Sequence, residues 1–290
     1  MKNFFAYFRF ILIFVVKSGI LWYTFLIKSE KTRSKRCKIK STDTIINAII
    51  KTIGKNKKNT FVSAIILAGG KSERMGGVSK QLVTVGGTPV VVLSALAYEN
   101  CPEVSEIVVV CREDELAAVE KLMKEYKVGK FRCAVAGGQT RFDSMKNGFE
   151  HIGVDADYVA VHDAARCLIT PEQISSVVAS AMKNGAAIAA SKTTDTIKIA
   201  DKNGVITSTV DRSAAWNAQT PQVMKKAMLE VGIYVPREDG FSVTDDAMLV
   251  ETLGFKVSVV DCGYENIKIT TPKDVAVAEA IIEKRRSENG

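Results

Sequence analysis

The chain has 290 residues, of which 47% are hydrophobic and 25% are charged, and its formal net charge at pH 7 is +8. The first 60 residues hold 14 Lys and Arg against 2 Asp and Glu, whereas residues 61–290 hold 26 against 30. Since the larger part of the chain is mildly acidic, composition argues against a nucleic-acid-binding protein.

The basic segment, residues 1–60, opens on an apolar run that Arg9 and Lys17 interrupt. The run is therefore shorter than the roughly 20 apolar residues of a membrane-spanning helix. On a helical wheel Lys2, Arg9, Lys17 and Lys28 share one face, which fits an amphipathic helix in contact with an anionic membrane. The other interpretation is a disordered extension without function. Both stay open on sequence alone.

From residue 61 onward, strand and helix patterns alternate. Short apolar runs predict strands at residues 62–67, 106–110, 131–135, 158–162, 186–190 and 256–260. Helical patterns lie between them, at residues 89–99, 113–126, 141–149, 171–184 and 244–253. This order predicts an α/β fold for residues 61–290, a doubly wound and mostly parallel sheet that binds ligands beyond the carboxyl ends of its strands.

One segment breaks the alternation, where residues 196–200 and 205–210 flank the turn sequence Asp201-Lys-Asn-Gly204. The pattern predicts a β-hairpin arm over about residues 192–214. Because two strands alone are marginally stable, we expect the arm to pack on a second subunit in a C2 homodimer.

The run from Leu67 to Lys80, LAGGKSERMGGVSK, follows the first strand of the α/β part. Its glycines allow close backbone approach to an anion, and Arg74 and Lys80 can neutralise charge on a phosphorus centre. The spacing fits neither the Walker loop nor the dinucleotide fingerprint. The run therefore predicts a polyphosphate site, and a bare tight turn is the alternative.

Two further strand ends carry polar motifs. GGQTRFDS (137–144) opens a helix, and Ser144 can hydrogen-bond a base or ribose, although the motif also fits an ordinary strand-to-helix turn. HDAAR (162–166) ends a buried strand, where Asp163 is suited either to Mg²⁺ or to capping a turn. His162 is expected to be structural.

Arg212 and Lys268 lie in the motifs TVDR (209–212) and NIKITTP (266–272). Each of these residues alone fits a solvated surface charge. Together they provide two cations that could bind a second phosphate, separate from the one expected at Arg74 and Lys80. The six cysteines include no Cys-x-x-Cys pair and the chain has two histidines, so we expect no zinc framework and no disulfide scaffold. This cysteine usage predicts a cytoplasmic protein.

At these motifs the chain resembles the 2-C-methyl-D-erythritol 4-phosphate cytidylyltransferase family. LAGGKSERM, GGQTRFDS, HDAAR, TVDR, AQTPQ, TDDA and NIKITTP occur in the family's order over about residues 61–285. Two positions depart from the pattern: Cys167 stands where a proline usually follows HDAAR, and Gln139 where an acidic residue is common.

The resemblance implies a Rossmann-like nucleotidyltransferase that uses Mg²⁺ to transfer CMP from CTP to methylerythritol phosphate. It implies catalytic roles for Arg74 and Lys80, and Asp163 as the residue on the metal side. The implied nucleotide-binding residues are Leu67, Ala68, Gly69, Gly70, Gly138, Gln139, Ser144, Asp163 and Ala164. The implied acceptor-binding residues are Thr196, Arg212, Thr220 and Lys268, with Thr196 and Arg212 supplied by the partner's arm.

Two other functions share most of these features. A ribitol 5-phosphate cytidylyltransferase has nearly the same motifs. The non-enzymatic alternative is a catalytically idle nucleotide-binding regulator that residues 1–60 tether to a membrane. The four cations Arg74, Lys80, Arg212 and Lys268 argue against a regulator, because a binding protein has no use for charges matched to a transition state.

Overall fold

A computed structural model describes residues 60–70, 79, 81–235 and 242–288, together with the backbone of two short segments nearer the N-terminus. The chain divides into two units, Met1–Lys51 and Thr52–Gly290. In the first, strands β1 (Ile11–Val16) and β2 (Gly19–Thr24) pair antiparallel, where an amphipathic helix had been one expectation. The run is rich in β-branched and aromatic residues, which favour strands. The extension as a separate domain stays a prediction.

The second unit is built on a seven-stranded sheet with two small ribbons. Its strands are β3 (Val62–Leu67), β4 (Thr84–Val85), β5 (Thr88–Pro89), β6 (Val104–Cys111), β7 (Phe131–Ala136), β8 (Tyr158–Asp163), β9 (Ala186–Lys192), β10 (Lys198–Ala200), β11 (Ile206–Thr209), β12 (Trp216–Lys225) and β13 (Ser258–Asp261). The main sheet has the order β13-β9-β12-β8-β3-β6-β7. Every pair in it is parallel except those that β12 makes with β8 and β9. The predicted α/β class with a mostly parallel sheet is confirmed.

Helices flank this sheet, and each predicted helix is present. They are α1 (Val90–Glu99), α2 (Leu116–Glu125), α3 (Arg141–Phe149), α4 (Pro171–Asn184), α5 (Lys226–Tyr234), α6 (Asp246–Glu251) and α7 (Pro272–Glu288). Helices α3 and α4 begin where expected because Thr140 and Thr170 close capping boxes with the residue three positions on. No described helix is long and apolar enough to cross a membrane.

Strand β12 was not expected from the sequence, and it is the antiparallel member of the sheet. Its segment WNAQTPQVMK carries Pro221 and several polar residues, which argue against a central strand. The sheet accommodates the proline by a register shift between Ala218 and Gln222 on the β9 side. Buried Gln219, Thr220 and Gln222 then find hydrogen-bond partners in neighbouring elements rather than in solvent.

The predicted hairpin is present as the β10–β11 ribbon, with a bulge at Ile199 and Ala200. It extends the antiparallel pair of β9 and β12, since the chain leaves the sheet at Lys192 and returns at Trp216, its pairing partner. Both ribbon strands are exposed along their whole length.

The topology places a crevice at the carboxyl ends of the central strands of the main sheet. From β3 the chain crosses to β6 and β7 on one side, whereas β8 lies on the other side of β3. In parallel sheets such a reversal leaves a crevice at the carboxyl ends of the strands. The described residues that directly follow β3, β6, β7 and β8 lie there.

Candidate active site

Glycine-rich backbone lines one half of the crevice. The Ala68 amide donates to the Val110 carbonyl at 2.6 Å, and the Gly137 amide donates to the Cys111 carbonyl at 2.8 Å, so the ends of β3, β6 and β7 are tied together. A cleft of about 410 Å³ lies among them, lined by Gly69, Cys111, Arg112, Glu113, Gly137 and Gly138. Three of these six lining residues are glycines, whose backbone a nucleotide can approach closely.

Ser144 holds the turn that precedes α3. Its hydroxyl accepts from the Gly138 amide at 3.1 Å and donates to the Thr140 carbonyl at 3.0 Å. A side chain on Gly138 would force the turn to shift, because its Cβ would lie 2.2 Å from the Cβ of Asp143. With its proton committed to Thr140, Ser144 offers a nucleoside an acceptor lone pair and no donor.

Asp163, at the end of β8, lies between two cations. Its Oδ1 is 3.1 Å from Nε of Arg141, and its Oδ2 accepts from Nζ of Lys268 at 2.6 Å. Burial alone would raise the pKa of this carboxyl, but the Arg141 guanidinium and the Lys268 ammonium outweigh burial and hold the pKa well below its usual range. Asp163 is therefore ionised at any working pH.

Arg141 also forms a second ion pair, which the sequence analysis did not find. Its Nη1 donates to Oδ1 of Asp246 and its Nη2 donates to Oδ2, both at 2.8 Å. Asp246 is the first residue of α6. Asp246 is 105 positions away in the chain, and both residues stand inside motifs, GGQTRFDS and TDDA. The available signal was a charged residue in each motif whose role the sequence analysis had not assigned.

Behind Asp163 lies a buried polar layer that holds the end of β8. Oγ1 of Thr220 accepts from the Asp163 amide and is hydrogen-bonded to Nδ1 of His162, both at 3.0 Å. Burial lowers the pKa of His162 to about 3, so the ring is neutral, and it packs on Tyr98 with 5.1 Å between ring centroids. The structural role expected for His162 agrees with this geometry. Thr220, predicted to bind substrate, instead lies beneath the site with its hydroxyl engaged.

The segment that carries Lys268 is anchored by the same layer. Nη1 of Arg166 donates to the Asn266 carbonyl at 2.8 Å. The buried Asn266 amide in turn donates to Oε1 of Gln219 at 2.9 Å and to the Thr220 carbonyl at 3.0 Å. These bonds fix the approach of Lys268 to Asp163 against β12.

The comparisons with known proteins converge on one family. The family model IspD, 2-C-methyl-D-erythritol 4-phosphate cytidylyltransferase, matches residues 62–284. The chain belongs to this cytidylyltransferase family. The match spans all of the main sheet and the crevice described above.

Relatives and solved structures agree with that assignment. The family member of Endomicrobium trichonymphae is 42% identical over 76% of this chain and 98% of its own length. The chloroplastic member of rice, Oryza sativa subsp. japonica, is 36% identical over 80% of this chain and 78% of its own length. The crystal structure of the 4-diphosphocytidyl-2C-methyl-D-erythritol synthase from Anaerococcus prevotii superposes with a TM-score of 0.70 at 32% identity, covering 78% of this chain and 97% of that one.

The structure brings together part of the residue set that the family resemblance implies. Leu67, Ala68 and Ala164 lie at the crevice, where the Ala164 amide donates to the Leu67 carbonyl at 3.0 Å. Gly69 and Gly138 line the cleft, and Gly70 and Gln139 are exposed at the same strand ends. Arg74 and Lys80 lie outside the described residues, so their catalytic roles stay predictions.

Arg212 and Thr196 lie on the exposed arm. Nη1 of Arg212 donates to the Thr194 carbonyl at 3.1 Å, a bond within the arm itself. The ammonium of Lys268, by contrast, donates to Asp163 at 2.6 Å. Within one chain the expected phosphate pair of Arg212 and Lys268 is therefore divided between the arm and the crevice.

Proposed function

We propose that this family member performs its cytidylyl transfer at the crevice between β3 and β8, with Asp163 and Lys268 at the centre of the site. The enzyme transfers CMP from CTP to 2-C-methyl-D-erythritol 4-phosphate. An oxygen of the acceptor phosphate attacks the α-phosphorus of CTP, a new phosphorus–oxygen bond forms, and the bond to the β-phosphate oxygen breaks. The products are 4-diphosphocytidyl-2-C-methyl-D-erythritol and pyrophosphate.

CTP is assigned to the glycine-walled cleft. The glycine backbone at Gly69, Gly70 and Gly138 leaves room for the nucleotide to approach closely, while Gln139 stands at the mouth of the turn. Ser144 contributes by fixing Gly138, because its own proton is held by Thr140. Leu67 and Ala164 form the floor beneath the ribose.

The acceptor phosphate is assigned to Lys268. Its side chain keeps 39% of its surface exposed while its ammonium rests on Asp163, so it is held at the mouth of the site and can still reach a ligand. This one contact, a lysine posed on an ionised aspartate beside a nucleotide-sized cleft, carries the proposal. Arg74 and Lys80 are assigned to the negative charge that builds on phosphorus in the transition state.

Mg²⁺ is part of the proposal: Asp163 would hold it, and it would neutralise charge on the phosphates of CTP. Among the described residues no group of three or more His, Cys, Asp or Glu side chains could hold a metal by itself. Mg²⁺ is commonly held by one or two carboxylates together with substrate phosphates, and Asp163 keeps a lone pair on each oxygen beside its two cations. Asp163 therefore fits such a site, and the chain's own task there is to hold that carboxylate ionised and oriented.

We further propose that the arm reaches a second subunit in a C2 homodimer. Ile197, Ile199, Val205 and Ile206 are 38–61% exposed on a ribbon that extends beyond the sheet. An isolated two-strand ribbon of this kind is marginal, so a partner surface is the expected support. In that arrangement Arg212 and Thr196 serve the partner's crevice and complete the pair with Lys268.

The activity is tested by pyrophosphate release from CTP with methylerythritol phosphate and ribitol 5-phosphate in parallel. Turnover with the first and not the second is the expected result. Preference for ribitol phosphate would instead support the competing acceptor, and binding of CTP without any turnover would support the idle regulator.

The exchange of arms is tested by mixing Arg212→Ala and Lys80→Ala enzymes. In each mixed dimer with exchanged arms, one site carries both lesions and the other carries neither, so up to about a quarter of all sites regain activity after random pairing. Activity that stays at the sum of the two variants after verified subunit exchange would place Arg212 in its own subunit's site.

A further inference from the structure

The motif TDDA, residues 244–247, places a carboxylate in the interior of the protein. Helix α6 opens there, with Asp245 as its N-cap accepting from the Met248 amide at 3.0 Å. The next residue, Asp246, is only 1% exposed. An ionised carboxylate so deeply buried is strongly unfavourable unless it is paired and hydrogen-bonded, so its retention calls for a specific partner.

Strand β12 holds the residues on both sides of Asp246. Nε2 of Gln222 donates to Oδ2 of Asp245 at 2.9 Å, and Oε1 of the same amide accepts from the Ala247 amide at 2.7 Å. One buried glutamine side chain therefore clamps the start of α6 to the sheet. The result is that Asp246 has a defined position relative to β8, the strand beside β12.

Arg141 connects this fixed carboxylate to the active site. Its two terminal nitrogens bind Asp246 in a bidentate pair, which leaves Nε and one edge of Nη2 facing Oδ1 of Asp163 at 3.1 Å. Without Asp246 the guanidinium would have its bidentate edge free, and carboxylates prefer that edge. It would then engage both oxygens of Asp163, including Oδ2, which now accepts from Lys268.

The exposed fractions of the four side chains in this network support an influence that runs from Asp246 towards Lys268. It rises from 1% for Asp246 to 13% for Asp163, 32% for Arg141 and 39% for Lys268. The buried end is anchored by the fold and the exposed end meets the ligand.

We propose that Asp246 is a positioning residue for cytidylyl transfer: it acts through Arg141 to keep one oxygen of Asp163 available to Lys268. This inference rests on the proposed function, since it assigns Asp246 to the placement of the acceptor-phosphate lysine. Gln222 and the TDDA motif present Asp246 to Arg141.

The test compares Asp246→Asn, Arg141→Gln and the double variant with a matched control, Glu251→Gln, on the same helix. Asparagine keeps the volume of Asp246 but turns one acceptor into a donor that faces the guanidinium. We expect kcat/KM to fall roughly 10- to 100-fold, as for other supporting partners of site residues, with KM rising more for the acceptor phosphate than for CTP. Glu251→Gln removes a carboxylate charge from the exposed end of the same helix, so it should stay near wild type.

The double variant separates positioning from simple stability. If Asp246 acts through Arg141, adding Asp246→Asn to Arg141→Gln lowers kcat/KM no further, while Tm recovers because the unpaired buried charge is gone. This comparison holds even where Asp246→Asn alone folds poorly. Multiplicative losses, or an Asp246→Asn enzyme with a lowered Tm and unchanged kcat and KM, would overturn the inference. A wild-type enzyme without turnover would overturn the proposed function instead.

Discussion

Two glycines of the same cleft should respond to alanine in opposite ways, because one is required by the fold and the other by the ligand. A Cβ at Gly138 would lie 2.2 Å from the Cβ of Asp143 and 3.1 Å from its carbonyl carbon. Neither atom belongs to the end of a flexible side chain, so the turn itself must move. A Cβ at Gly69 would meet nothing closer than 3.8 Å, which is ordinary van der Waals contact.

The cost of Gly138→Ala follows from those distances. Overpacking of a fixed backbone costs about 1–3 kcal/mol, and loss of the Gly138 to Ser144 hydrogen bond adds about 1 kcal/mol. For a unit of this size a total of about 2–4 kcal/mol lowers Tm by roughly 5–15 °C. Gly69→Ala should change the free energy of unfolding by less than about 0.5 kcal/mol.

The effect on binding should be reversed. A methyl group at Gly69 enters the cleft assigned to CTP. Overpacking there weakens the binding free energy of CTP by about 1–3 kcal/mol, which raises the KM for CTP by roughly 10- to 100-fold. Thermal unfolding of both free variants and initial rates at varied CTP separate the two effects. An unchanged KM in Gly69→Ala would refute the assignment of that space to the nucleotide, and an unchanged Tm in Gly138→Ala would refute the turn geometry.

Three further predictions follow. Lys80→Ala should lower kcat by roughly 100-fold or more with little change in CTP affinity, because its charge is needed most when charge builds on phosphorus; a near-normal kcat would remove it from the mechanism. Deletion of residues 1–58 should leave an active dimer by rate assay and light scattering, and liposome flotation of the full chain against this truncation decides whether the basic segment binds membranes. The unfolded state should bind one more proton than the folded state between about pH 3 and 6.5 at His162, so stability falls as pH drops through that window by up to about 1.4 kcal/mol per pH unit. His162→Gln should flatten that slope in urea titrations at pH 4.5–6.5, and an unchanged slope would contradict a neutral buried ring.

The elements that sequence predicted well are those specified by neighbours in the chain. Helix α4 runs over Pro171–Asn184 as expected, because Thr170 caps it and Gly185, with φ at 95°, ends it. The glycine turns of the cleft were found for the same reason. Each of these signals lies within a few residues of the feature it specifies.

Strand β12 shows where prediction from local sequence signals fails. Its place between β8 and β9 depends on pairing with strands distant in the chain, and nothing in the local segment WNAQTPQVMK specifies that pairing. Its polar residues indicate a loop until Thr220 and Gln222 are seen bonding to β8 and α6. Tertiary context overrides local propensity at this strand.

Charge at the crevice explains why the site needs residues from several sources. Sequence analysis assigned Asp163 to a metal and Lys268 to a phosphate as separate functions, but the structure joins them with Arg141 and Asp246 into a network of two carboxylates and two cations. That network carries no net charge. Arg166 behind it adds one positive charge, and its guanidinium donates to the carbonyls of Asn266 and Ala218. A triphosphate and an acceptor phosphate bring several negative charges into this space. Balancing them requires cations from outside the described network, which is the role proposed above for Arg74, Lys80, a partner's Arg212 and Mg²⁺. A neutral network at the centre has a compensating advantage, since it holds Lys268 in place without repelling the cations that must arrive with the substrates.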